Sequence, residues 1–170
     1  MKLIKYIPLA LFIIMAVFFY SKIKHQNKLE PLSSALIDKE FPKLDIYNLS
    51  KNQSINNYIK GKPVIINIFA SWCAPCRIEH EVLENYSEKY DIIGIAYKDS
   101  EENIEKFLEE LGDPFDNIFF DFLGKESINL GLYGVPETFF LNKNGKILYK
   151  HVGPINKEDF EKLAPMILKQ

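Results

Sequence analysis

The chain has 170 residues, 47% of them hydrophobic and 14% aromatic, enough for one domain with a real core plus appendages. Its formal net charge is −2 and its lysines are scattered, which excludes a basic field for nucleic acid. The only two cysteines, Cys73 and Cys76, exclude a disulfide-stapled scaffold, which carries more cysteines at wider spacing.

Leu3 to Tyr20 is apolar apart from Lys5. The unbroken run from Tyr6 to Tyr20 is short against the ~20 residues of a full membrane span. Leu3 and Ile4 extend it, with Lys2, Lys5, Lys22 and Lys24 reaching outward at its ends. The run closes on Val17-Phe18-Phe19-Tyr20-Ser21-Lys22, bulky and then basic, without the small residues of a cleavage site. The expectation is therefore an uncleaved transmembrane signal anchor over residues 1–22. Lysines on both sides leave its orientation open. A polar tether over 23–37, with Pro31, Ser33 and Ser34, leads to a folded domain over 38–170.

Within that domain, Lys43 to Leu49 alternates weakly and predicts an early strand. Asn52 to Lys62 is polar and turn-rich. Pro63 to Ala70 is a short, apolar, β-branched run and predicts a buried strand. A helix is expected from about Ala74 to Tyr90, with Glu81, Glu84 and Glu88 on its polar face. Asp91 to Tyr97 predicts a second buried strand. Ser100 opens a capping signal, and Ile104, Phe107, Leu108 and Leu111 form a helical stripe stopped by Gly112, Asp113 and Pro114. A short strand (Asn117–Phe122), a short helix (Lys125–Leu130) and two strands (Glu137–Leu141 and Ile147–His151) follow. The strand pair is joined by the hairpin signal Asn142-Lys143-Asn144-Gly145. Lys157 to Leu168 predicts a last amphipathic helix. This order predicts an α/β fold, a mixed sheet flanked by helices with an antiparallel hairpin at one side. The aromatic cluster Phe115, Phe119, Phe120 and Phe122 reads as core.

Trp72-Cys73-Ala74-Pro75-Cys76 falls at the first strand-to-helix junction of that sheet. In the first turn of a helix, positions i and i+3 face the same way, so the two sulfurs can close and open a disulfide. The helix N-terminus offers free N–H groups and a positive dipole end, both of which favour the nucleophilic thiolate. Cys73, nearer the helix start, is expected to be the exposed attacker and Cys76 the deeper, resolving thiol. Pro75 suits the first helical turn. A structural disulfide and half of a metal site are the competing readings. A loop this short closes little entropy, and His25, His80 and His151 supply no second ligand pair, so no metal is expected. A CxxC pair between strand and helix signals thiol–disulfide chemistry.

No histidine or lysine lies between the cysteines, and such a cation would make an oxidant by stabilising the thiolate. Glu79 lies one turn past Cys76. If it faces the pair, it opposes a second anion and can carry the proton that Cys76 must lose. A solvated Glu79 is equally compatible with the sequence, and an inward Arg77 would act in the opposite sense. A cis Val135–Pro136 bond would turn the Val135 N–H and C=O outward, where they could pair with an extended substrate. An ordinary trans bond is the alternative.

These motifs carry a resemblance. Cys76-Arg77-Ile78-Glu79-His80, Ala96-Tyr97-Lys98-Asp99, Leu108 to Gly112 and Gly131-Leu132-Tyr133-Gly134-Val135-Pro136-Glu137-Thr138-Phe139, with the apolar N-terminus, resemble the CcmG/DsbE family of cytochrome c maturation. The resemblance implies a thioredoxin-like fold on the periplasmic side of the bacterial inner membrane, held by a single-pass anchor. It implies a monomeric reductant of the apocytochrome c CxxCH disulfide or of a haem-ligation thiol protein, fed by a membrane thiol-electron carrier. No cofactor is implied beyond the Cys73–Cys76 redox disulfide. Cys73, Cys76, Glu79 and Pro136 (as a cis-proline) are the implied catalytic positions, and Trp72, Val135 and Glu137 the implied substrate-binding ones. Asn142 departs from the family pattern, where an aspartate is expected to close the strand. A general reductant of cell-envelope disulfides and a non-catalytic apocytochrome-holding module are the alternative functions.

Overall fold

The computed structural model describes residues 6–25, 36–48 and 53–168. Most of the expected tether, the first five residues and Leu49 lie outside them. The chain divides into two units, Met1–Leu32 and Ser33–Gln170. The first contains helix α1 (Ile7–His25, 19 residues). Leu9, Leu11, Phe12, Ile13, Ile14, Val17 and Phe18 are all exposed, so apolar side chains cover it all round. Among the described residues no helix is long and apolar enough to cross a membrane.

The second unit is built on a five-stranded sheet in the order β5-β4-β3-β6-β7. Strands β3 (Val64–Phe69), β4 (Ile92–Tyr97) and β5 (Asn117–Asp121) run parallel; β6 (Glu137–Leu141) runs antiparallel to β3, and β7 (Ile147–Val152) antiparallel to β6. Helices α3 (Ala74–Tyr86), α4 (Glu101–Leu111), α5 (Lys125–Asn129) and α6 (Lys157–Leu163) connect or follow them. The expected mixed α/β sheet with a terminal hairpin is the observed one. Asn142 supplies what an aspartate would at the hairpin: its Oδ1 accepts from the N–H groups of Asn144 and Lys146, both at 3.0 Å.

Side chains alternate across a strand, and this alternation divides the core. Ile65 and Phe69 of β3 and Phe140 of β6 pack with Leu83, Phe107 and Phe160 from α3, α4 and α6. Val64, Ile66 and Ile68, with Phe139 and Leu141, pack on the opposite face with Phe41, Ile55 and Phe119. The same alternation puts Asn67 and Thr138 on the α3 face and Glu137 on the other.

Four elements differ from expectation. The early strand shortens to β1 (Tyr47–Asn48), paired with β2 (Gln53–Ser54), although Leu44, Ile46 and Asn48 are buried in the expected alternation. The turn-rich stretch after it folds into one helical turn, α2 (Ile55–Tyr58), because Ser54 caps the Asn56 N–H and Ile55 is fully buried. Helix α3 stops at Tyr86, where Ser87 turns both its N–H and its hydroxyl onto the Glu84 carbonyl. The last helix becomes 3₁₀ over Ala164–Leu168, since Pro165 lacks the N–H that an α-helix needs. Of the aromatic cluster, Phe115 and Phe119 are core, whereas Phe122 is exposed.

Candidate active site

Strand β3 delivers the chain to the site, and the loop after it is tied down before the helix begins. The Ser71 N–H donates to Asp99 Oδ2 at 2.7 Å, and the Trp72 indole N–H to the Lys98 carbonyl at 3.3 Å. Asp99 also accepts from the Ser100 N–H at 2.9 Å, so one buried carboxylate joins the turn after β4 to the turn after β3. Trp72 is left exposed beside the cysteines.

Cys73 is the N-cap of α3 and forms a disulfide with Cys76. Its Sγ accepts from the Cys76 N–H at 3.2 Å, the helix-end donor that a thiolate would use. The Val135 carbonyl oxygen stands 3.5 Å from the same sulfur. Once reduced, a Cys73 thiol can donate to it; a thiolate would face an oxygen. Cys73 is not the exposed thiol expected. It is 4% exposed and Cys76 2%, because its sulfur turns in between the helix end and Val135. The Val135–Pro136 bond is cis, with Pro136 buried and its carbonyl accepting from the Gly153 N–H at 2.9 Å.

Glu79 is not a solvated helix residue: it is 1% exposed. Its Oε1 accepts from Asn67 Nδ2 at 2.7 Å and its Oε2 from the Ile155 N–H at 2.8 Å. Asn67 Nδ2 also reaches Thr138 Oγ1 at 3.1 Å, across the β3–β6 register. Burial pushes the Glu79 carboxyl up to about 7, against the opposing pull of these two hydrogen bonds. Arg77 does not turn toward the cysteines. Its guanidinium pairs with Glu110 of α4 and lies 5.4 Å over the Phe107 ring. His80 is a buried core histidine, its Nε2 at 2.9 Å from the Gly112 carbonyl and its ring edge-on to Phe107.

Glu137, expected to meet substrate, is fully buried. It lies on the far face of the sheet, where Lys150 Nζ approaches its Oε2 to 2.8 Å and the Tyr133 N–H donates to its Oε1 at 2.8 Å. It holds the loop from the far face of the sheet and presents no exposed surface. The site therefore gathers Trp72, Cys73, Cys76, Val135 and Pro136 at the surface or just under it, with Glu79 and Glu137 as two separate buried supports. Sequence reasoning missed Lys150, Asn67 and Asp99. Glu137 opens one largely apolar strand and Asn67 interrupts another, and a buried polar group there calls for a partner on a neighbouring element.

The Redoxin family profile matches residues 37–167. The thiol:disulfide interchange protein DsbE of Vibrio cholerae is 35% identical over 175 residues, covering 99% of this chain and 95% of that protein. DsbE of Escherichia coli is 36% identical over 162 residues, 91% of this chain and 88% of its own. Among solved structures, a thioredoxin-family thiol:disulfide interchange protein from Chlorobium tepidum superposes with a TM-score of 0.60 at 26% identity, over 76% of this chain and 95% of that one. The fold is thioredoxin-like, and the CxxC disulfide in this setting is that of a thiol–disulfide oxidoreductase.

Proposed function

We propose, on the premise that the chain belongs to the Redoxin family and within it to the DsbE (CcmG) group of thiol:disulfide interchange proteins, that it is a periplasmic reductant of cytochrome c maturation. The observation that carries this reading is the match to DsbE proteins along almost the whole chain. The substrate is the CxxCH disulfide of an apocytochrome c or a haem-ligation thiol protein, and the donor a thiol carrier in the membrane. Haem attachment to thiols needs them reduced, which an oxidising compartment opposes.

The Cys73 thiolate attacks one substrate sulfur, giving a mixed disulfide and one substrate thiolate. Cys76 loses its proton and attacks Cys73 Sγ. The second substrate sulfur leaves as a thiolate and the Cys73–Cys76 disulfide forms. Two electrons pass to the substrate. Glu79, one turn beyond Cys76, is the buried group that takes the Cys76 proton. The carbonyl facing Cys73 and the engagement of Arg77 with Glu110 both argue for a modestly stabilised thiolate, the character of a reductant. Trp72, and the Val135 backbone beside Cys73, are the surface on which the substrate lies.

The chain acts as a monomer, with no cofactor beyond its own disulfide, tethered to the inner membrane by its N-terminus. Apolar side chains all round α1, and the apolar Leu3 and Ile4 that precede it in sequence, support the anchor. Trapping tests the reading. A Cys76→Ser chain expressed in cells accumulates mixed disulfides through Cys73, identifiable by mass spectrometry. Conjugates with apocytochrome c or a haem-ligation protein are expected. A broad mixture of envelope proteins without any cytochrome would replace this reading with a general reductant. Haem attachment that survives in a Cys73→Ser/Cys76→Ser chain would replace it with a holding module.

A further inference from the structure

We infer that Lys150 is a positioning residue for substrate binding: its buried ammonium clamps the strap Gly131–Pro136, the edge beside Cys73. Lys150 sits on β7 opposite Phe139, and its side chain is 1% exposed. Besides Glu137, its Nζ reaches the Gly131 carbonyl at 2.7 Å and lies 4.6 Å from the centre of the Tyr133 ring. Glu137 in turn holds the Tyr133 N–H. One cation thus ties the strap at its start, its middle and the residue just past its end. Between the last two ties come Gly134, exposed, Val135, half-buried with its carbonyl facing Cys73, and the buried Pro136.

A buried ion pair is weak evidence for stability, since apolar replacements of the pair are often neutral or better. What this pair supplies is geometry. It fixes the height of the Val135 backbone relative to the Cys73 sulfur before any partner arrives. An extended chain that pairs with that backbone then meets an edge already in place, and the ordering cost of binding falls. The inference rests on the reading above, in which an extended peptide disulfide is the substrate.

The test is steady-state reduction of a CxxCH peptide disulfide by the full-length chain in detergent, with a small-molecule dithiol supplying the electrons that return Cys73–Cys76 to the dithiol and its direct reaction with the peptide subtracted, for wild type, Lys150→Met, Lys150→Arg and Glu137→Gln/Lys150→Met. Lys150→Met should raise KM roughly tenfold or more while kcat falls far less, the signature of lost binding geometry. Lys150→Arg, which keeps the charge and several donors, should recover most of the loss. The double variant carries no unpaired buried charge, so it folds even if Lys150→Met does not, and its KM should remain raised. The Cys73–Cys76 reduction potential should be the same in all four. A wild-type KM in the double variant overturns the inference, as does a potential shift large enough to explain the rate loss. A wild-type chain that does not reduce the peptide at all overturns the proposed function and this inference with it.

Discussion

Each face of the sheet hides one glutamate near the redox pair, and the two faces treat it differently. On the α3 face, Glu79 is 1% exposed and, among the described residues, its hydrogen-bond donors are both neutral, the Asn67 amide and the Ile155 N–H. On the other face, Glu137 is fully buried and meets an ammonium, Lys150. Residue type and burial are the same; only the counter-charge differs. Burial without a counter-charge leaves a carboxyl that gains or loses a proton near neutral pH, the property that the proposed proton transfer from Cys76 requires. Burial with one gives a fixed link between strand and loop. A carboxyl open to proton exchange and a fixed ion pair thus lie on opposite faces of one sheet.

Removing the counter-charge should collapse that difference. Lys150→Met leaves Glu137 buried and unpaired, at a cost of about 3–5 kcal/mol of stability at neutral pH. Glu137→Gln/Lys150→Met should recover most of it, and urea denaturation of both variants decides. A single variant as stable as wild type would mean that the pair is not a working link. The second test acts on the opposite face. Because Glu79 titrates at about 7 in the folded chain against an ordinary 4.5, the folded state holds a proton in that window that the unfolded state releases. Stability with the disulfide intact therefore falls as pH rises through the window, by up to about 3 kcal/mol. Glu79→Gln should lack this component. The difference between wild type and variant should change between about pH 5 and about pH 8, and a constant difference would refute the assignment.

Much of this arrangement is legible in the amino-acid sequence, and the reason is local. Strands β3 and β4 are short, isoleucine-rich apolar runs, the hairpin carries its own turn residues, and CxxC spacing places both sulfurs on one helical turn. The parts that were not readable depend on register between distant segments. Lys150 lies beside half-buried Tyr149 and His151 near the sheet edge, a sequence setting that looks solvated. Only its alignment with Phe139, and the loop folded beneath Tyr133, shows it to be buried. Glu79 was ambiguous for the same reason, since its partners come from β3 and from the segment after β7. Cys73 was expected to be exposed because its own helix position allows that. The Val135 backbone that covers it is 62 residues away in sequence.

The third test sharpens the description of Glu79. The Asn67 amide bonds to its carboxylate form, so Asn67→Ala should raise the Glu79 pKa further and cost about 1–3 kcal/mol. Carboxyl titration followed by isotope-edited infrared spectroscopy would show the rise; an unchanged midpoint would mean that burial alone sets it. The smallest effect is expected where charge is paired at the surface. Arg77 and Glu110 are 36% and 61% exposed, so Arg77→Ala should cost about 1 kcal/mol or less, mostly through lost packing on Phe107. Its redox consequence carries more information than its stability. A cation directed at Cys73 would stabilise the thiolate and make the disulfide more oxidising, so its removal would lower the potential by about 30 mV for each 1.4 kcal/mol lost. With the guanidinium engaged by α4 instead, Arg77→Ala should shift the potential by less than about 15 mV. A larger drop would mean that Arg77 reaches the pair in the reduced chain, and the electrostatic contrast between the two faces would then have to include a cation on the side that shows none.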